Sequence, residues 1–200
     1  AKAIKNLYSD SKLAIGPTIE NGFYYDVSTD TPISVEDLPK IENEMKRILE
    51  RKSNIHKSLH SEKDAKKIFK DKGEIFKVEI IDDADQDDNF QIYTNSDEDF
   101  IDLCRGPHLP DLSFIGAFKL TKVSGAYWKG DSSNKMLTRI YGTAWRNEKE
   151  LQEHLKSIEE AEKRDHRKIG KDMDLFHFQD EAPGMVFWHP KGWTIYSALK

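Results

Sequence analysis

The run Cys104-Arg105-Gly106-Pro107-His108 constrains this chain more than any other. Cys104 and His108 stand four apart, but the Gly-Pro between them rules out a shared helix face, so the two side chains converge across a tight turn that leaves a strand over residues 100–103. With Asp102 just ahead of the turn, a thiol, an imidazole and a carboxylate meet at one strand end. A sheet core has no need of that combination, and a functional site does. Gly125-Ala126-Tyr127-Trp128 and Trp193 are further candidates for its surroundings.

The rest of the chain supplies a mixed set of elements. Ala3, Ile4 and Leu7 repeat at helical spacing with no cap ahead of them, which predicts that residues 1–8 lie within a helix and that something precedes them. After the Gly16-Pro17 turn, Gly22-Phe23-Tyr24-Tyr25-Asp26-Val27 has the aromatic and branched content of a strand. Ser34, Glu36 and Asp37 open a helix with Ile41, Met45, Ile48 and Leu49 on one face. Ser61-Glu62-Lys63-Asp64 caps a second helix, with Ala65, Ile68 and Phe69 inward and Gly73 at its end. Strands are expected over 77–81, 90–93, 100–103, 118–123 and 136–141, with Asp82, Asp83, Asp85, Asp87 and Asp88 in an exposed loop. Asn147 and Glu150 begin a long helix that carries Leu151, Leu155, Ile158, Ala161 and Ile169 on one face and ends in a basic stretch near residue 170. These elements do not alternate as βαβ units do. The expected fold is α+β, with a mostly antiparallel sheet, packed helices and a long linker helix.

At 200 residues with 37% hydrophobic content the chain can pack one large domain and part of another. Its net charge of -5 argues against indiscriminate coating of nucleic acid, yet Lys119, Lys122, Lys129, Lys135 and Arg139 form a local basic stretch. A single cysteine excludes a disulfide framework, and no apolar run has the length of a membrane span or signal peptide. The expected location is cytoplasmic.

Seven runs together carry a resemblance: Lys12-Leu13-Ala14-Ile15-Gly16-Pro17, Asn21-Gly22-Phe23-Tyr24-Tyr25-Asp26, Asp102-Leu103-Cys104-Arg105-Gly106-Pro107-His108, Gly125-Ala126-Tyr127-Trp128-Lys129-Gly130-Asp131, Asn134-Lys135-Met136-Leu137, Arg139-Ile140-Tyr141-Gly142-Thr143-Ala144 and Arg164-Asp165-His166-Arg167-Lys168-Ile169-Gly170. The chain resembles the bacterial type of threonyl-tRNA synthetase over nearly its whole length. The resemblance implies an editing domain over 1–145, a linker helix over 146–172 and the incomplete start of a class II aminoacylation domain over 173–200. It implies hydrolysis of mischarged seryl-tRNA, with the threonine tRNA acceptor end as partner. Zinc and ATP-Mg belong to the family's catalytic domain, so no cofactor and no aminoacylation are expected of this piece. The full-length family enzyme is expected to be a homodimer, the fragment a monomer, and no membrane is involved.

The chemistry has a physical rationale. A site that selects threonine cannot refuse serine strongly, because one methyl group is worth about 1–3 kcal/mol, and a second, hydrolytic site then supplies the missing discrimination. Such a site needs a positioned water, a proton acceptor and cations or donors for the tetrahedral oxyanion. The family's pocket, carried over, falls on Lys77, Asp102, Cys104 and His108. A histidine of the family's first helix is replaced here by Lys2, a poor base at neutral pH. That replacement keeps open an alternative, an editing-deficient module that only positions tRNA.

Bland readings accompany each residue. Cys104 alone would be a small buried hydrophobe, His108 a turn residue and Asp102 a cap. With two more histidines the Cys104 and His108 spacing would resemble a zinc site of the related alanyl type, but one thiolate and one imidazole fall short of four ligands, so no metal is expected. Tyr24 and Tyr25 could stack an unpaired base, and Lys119, Lys122, Lys129 and Arg139 could meet acceptor-stem phosphates. A strand core and a solvated face are the plainer explanations. His56, His60, His154 and His177 read as surface residues.

Overall fold

The computed structural model describes residues 1–84, 89–95 and 100–200. In chain order the elements are α1 (Lys2–Leu7), β1 (Lys12–Leu13), β2 (Thr18–Ile19), β3 (Gly22–Ser28), α2 (Leu38–Glu50), β4 (Ile55–His60), α3 (Glu62–Asp71), α4 (Ile75–Asp82), β5 (Phe90–Asn95), β6 (Ile101–Leu103), β7 (Ala117–Tyr127), β8 (Met136–Trp145), α5 (Glu148–Lys163), α6 (His166–Asp172), β9 (Phe176–His177), β10 (Phe187–Trp188) and α7 (Pro190–Leu199). Helices and antiparallel sheets together make the α+β class that the sequence predicts. The chain divides into two compact units, residues 1–151 and 152–200.

The first unit holds two antiparallel sheets. In the larger, β3 is flanked by β8 on one side and by β1 and β2 on the other, and β7 pairs β8. Residues between β1 and β2 stay alongside β3, since Asp26 N–H donates to the Ile15 carbonyl. Alternation along β3, β7 and β8 turns Val27, Leu120 and Ile140 onto α1 and α2, where Ala3, Ile4, Leu38, Ile41 and Ile48 complete the core. The Ser34–Asp37 cap forms as expected, with Asp37 Oδ2 accepting from the Ser34 N–H at 2.8 Å.

The smaller sheet runs β4-β5-β6. Phe90, Ile92, Ile101 and Leu103 face Ala65, Phe69 and Ile81 of α3 and α4. Gln91, Tyr93, Asp102 and Cys104 therefore belong to the opposite face, with Tyr93 directly across from Asp102 in the ladder and the Cys104 N–H donating to the Gln91 carbonyl. A register slip of one residue would bury these polar groups, so the apolar positions fix the site.

Four expectations need correction. Residues 77–81 are helical, not a strand: α4 is buried on several sides, with Phe76 and Ile80 against Trp128, Leu137 and Ala14 while Val78 and Ile81 join the core under α3. A helix with apolar contacts on several sides loses the 3.6-residue signal, and its branched residues then mimic a strand. Strand β4 was not foreseen, because an edge strand such as Ile-His-Lys-Ser-Leu-His carries little apolar pattern and leaves Leu59 exposed. The helix expected over 146–172 is interrupted, since Asp165 leaves the helical backbone and its carboxylate accepts from the Arg167 N–H at 2.8 Å, starting α6 afresh. The acidic loop begins later than expected, with Asp82 inside α4 and Asp83 at its end; Asp85, Asp87 and Asp88 lie outside the described residues.

The second unit comprises the remainder of α5, then α6, the β9–β10 pair and α7. Phe176 meets Phe178 and Trp188 edge-on, and Trp188 lies near Tyr196. Trp193 belongs to this unit and is 55% exposed. Among the described residues no helix is long and apolar enough to cross a membrane.

Candidate functional site

Three elements bring the site's charged centre together. Lys77 on α4 is 2% exposed, and its Nζ lies 2.6 Å from Asp102 Oδ1 on β6. Tyr25, from β3 of the larger sheet, donates its hydroxyl hydrogen to Asp102 Oδ2 at 2.6 Å and accepts from Lys77 Nζ at 3.1 Å. The Leu103 N–H also donates to Asp102 Oδ1, at 2.8 Å. Asp102 is thus held from three sides, by Lys77, Tyr25 and the Leu103 N–H, as a buried carboxyl group requires. Burial pushes the Tyr25 phenol well above its ordinary pKa of 10.0, and the Asp102 charge pushes it further. Gly16 leaves room for that ring, because a Cβ there would stand 2.1 Å from Tyr25 Cδ2. The Ala1 nitrogen is buried in the fields of Asp102 and Lys77, so α1 begins at this site, and Lys2 follows at 8% exposure.

The Cys104–His108 turn lies on the same face. Gly106 takes φ +65, the Gly106–Pro107 bond is cis, and the Gly106 N–H points to Cys104 Sγ at 3.4 Å. The His108 ring stacks on Tyr93 with centroids 4.0 Å apart and planes 13° from parallel. Burial lowers the His108 pKa below its ordinary 6.5, and the Asp102 charge opposes that shift without overcoming it. At pH 7 the imidazole is neutral and can take up a proton. Among the described residues no group of three or more His, Cys, Asp or Glu side chains is gathered for a metal ion.

The structure therefore assembles Lys77, Asp102, Cys104 and His108, with Lys2 at the adjoining helix. It separates Tyr25 from Tyr24. Tyr25 is a hydrogen-bonding member of the site, whereas the centroid of the Tyr24 ring lies 4.0 Å from the Arg139 guanidinium carbon. The basic stretch is less free than its composition suggests. Arg139 grips Asp26 through two bonds of 2.7 and 2.8 Å, Lys119 pairs with Glu42 at 3.0 Å, and Lys129 pairs with Asp83. Lys122 is exposed, with its Nζ 5.7 Å from the Tyr141 ring centroid. Sequence reading missed Tyr93 and the hydroxyl role of Tyr25. Alternation would have found Tyr93, since 93 shares its face with 91, and register places it opposite Asp102.

Comparison with known proteins adds to this geometry. Residues 91–141 match the family model "Threonyl and Alanyl tRNA synthetase second additional domain". Over 200 residues, all of this chain, it is 54% identical to a threonine–tRNA ligase of Bartonella bacilliformis and 55% identical to one of Pelagibacter ubique, covering 30% and 31% of those proteins. A threonine–tRNA ligase of Prochlorococcus marinus is 52% identical over 99% of the chain and 31% of its own length. The chain thus spans about 30% of the relatives it matches.

Proposed function

The chain is a segment of the threonyl-tRNA synthetase family, and from that premise we propose that its first unit hydrolyses seryl-tRNA formed in error on the threonine tRNA. The observation that supports this reading most is the Lys77–Asp102–Tyr25 network beside the Cys104–His108 turn. An ammonium donates three hydrogen bonds, and Asp102 and Tyr25 take two of them. In the proposed reaction the third meets the ester carbonyl oxygen and holds the charge that develops there when water attacks, the stabilisation that contributes most in acyl transfer. Neutral His108 takes the proton from that water, and the proton passes to the terminal ribose hydroxyl as the carbon–oxygen ester bond breaks. Serine and a free tRNA end leave. The step needs no metal and no nucleotide, and this piece is proposed to carry out editing without aminoacylation.

Lys2 supports a weaker form of the same reading, in which the first helix contributes charge and packing but no base. The test is release of serine and of threonine from their tRNA esters by the purified chain. Serine release well above the spontaneous rate, with threonyl-tRNA spared, is expected. Release of neither amino acid would leave tRNA positioning as the function.

A further inference from the structure

The Cys104–His108 turn rests on one residue that the catalytic reading does not use. Tyr93 is 7% exposed in the middle strand of the small sheet, directly opposite Asp102. Its ring carries the His108 imidazole face to face at 4.0 Å, and its hydroxyl lies 3.3 Å from Gln91 Oε1. The turn itself is fitted to that ring, because a Cβ on Gly106 would lie 1.9 Å from the Tyr93 hydroxyl oxygen and 2.8 Å from Cζ. Tyr93 therefore touches both ends of what must be held still: the glycine that closes the turn and the imidazole that the turn presents.

We infer that Tyr93 is the positioning residue of this site, setting through its ring face the plane and depth at which His108 stands beside Asp102. The inference rests on the hydrolytic reading only for its catalytic consequence; the placement of His108 is a property of the folded chain. An imidazole on one turn has two free torsions, and His108 is an exposed residue whose ring has Tyr93 on one face. A flat, buried ring 4 Å away removes most of that freedom and excludes water from one face of the imidazole. Lowered basicity of His108, caused first by burial, is the expected companion of such a platform.

Two variants separate the ring from its hydroxyl. Tyr93→Phe keeps the platform and loses the contact with Gln91; Tyr93→Leu keeps an apolar group and loses the plane. Histidine ring titration followed by NMR, with the His108 signal identified by its loss in His108→Gln, is read without any tRNA. The expected result is a midpoint in Tyr93→Phe that matches the parent chain and one in Tyr93→Leu that rises toward the ordinary value. For serine release, Tyr93→Leu is expected to lower kcat about ten- to a hundred-fold with KM within about two-fold, and Tyr93→Phe to stay within about two-fold of the parent, because misplacement acts on the reacting geometry. An unchanged His108 midpoint in Tyr93→Leu, or equal shifts in both variants, would overturn the inference. If the parent chain releases no serine, the hydrolytic reading fails by itself and the titration still decides the role of Tyr93.

Discussion

The two sheets of the first unit use charge in opposite ways. In the large sheet only the cation of each pair reaches water: Arg139 spans to the buried Asp26 across the β3–β8 pair, and Lys119, 46% exposed at its side chain, meets the buried Glu42 where the β7 bulge frees the Leu120 N–H for the same carboxylate. At the small sheet, one lysine is taken out of water entirely, and Lys77, Asp102 and Tyr25 satisfy one another at the seam where the larger sheet's β3 reaches over. Loss of Lys119 is the milder case, because its side chain is half exposed and Glu42 keeps the Leu120 N–H as a donor. Loss of Lys77 or Asp102 is the severer one, since the group left behind is buried. The contrast marks the seam as the place where the fold accepts an electrostatic burden that packing alone does not require.

Substitutions at the two places should therefore differ widely. Lys77→Met leaves Asp102 buried without its cation and is expected to lower stability by about 3–5 kcal/mol, whereas Lys119→Met is expected to cost under about 1 kcal/mol. Urea unfolding of the two variants checks this, and similar losses would erase the comparison. Tyr25→Phe comes next, at about 1.5–3 kcal/mol, because its hydroxyl serves two charged partners. The same variant should flatten the alkaline limb of stability. The folded Tyr25 pKa is raised above 10.0, so its contribution is fully present below pH 10 and is lost as pH rises through the higher folded value.

His108 sharpens the contrast from the acid side. Its folded pKa lies below 6.5, so the unfolded chain binds the proton more readily, stability from the neutral ring is full above 6.5, and it falls as pH drops through the lower folded midpoint. Serine release at saturating tRNA should fall through the same window, and His108→Gln should abolish that limb of the pH profile along with most of the rate. The smallest effect is expected at Lys122. Lys122→Ala should weaken charged and uncharged tRNA alike and reduce the salt slope of binding by about one unit or less, without changing the saturated rate. A rate change with unaltered salt dependence would move Lys122 into the pocket's chemistry.

The large sheet was legible because its signals are local. Aromatic and branched runs mark β3, β7 and β8, and the Ser34 and Ser61 caps mark two helix starts within four residues. The small sheet was half hidden. Its edge strand β4 is polar, and α4 loses its period by packing on several sides. Lys77 was nonetheless placed in the site through family resemblance, although its secondary structure was misread. Partners remote in sequence were invisible: nothing near Tyr25 says that residue 102 lies at its hydroxyl, and nothing near Arg139 says that Asp26 has already claimed it. Counting cations along the chain overstated the free positive surface for that reason.

We propose that the seam carries the chemistry and that the exposed Lys122 does not. That division is tested most directly by single-turnover serine release from saturating seryl-tRNA, comparing Lys77→Gln with Lys122→Gln in folded preparations of equal tRNA affinity. The account predicts release at the spontaneous rate for Lys77→Gln and at the parent rate for Lys122→Gln. Parent-like release by Lys77→Gln would contradict it.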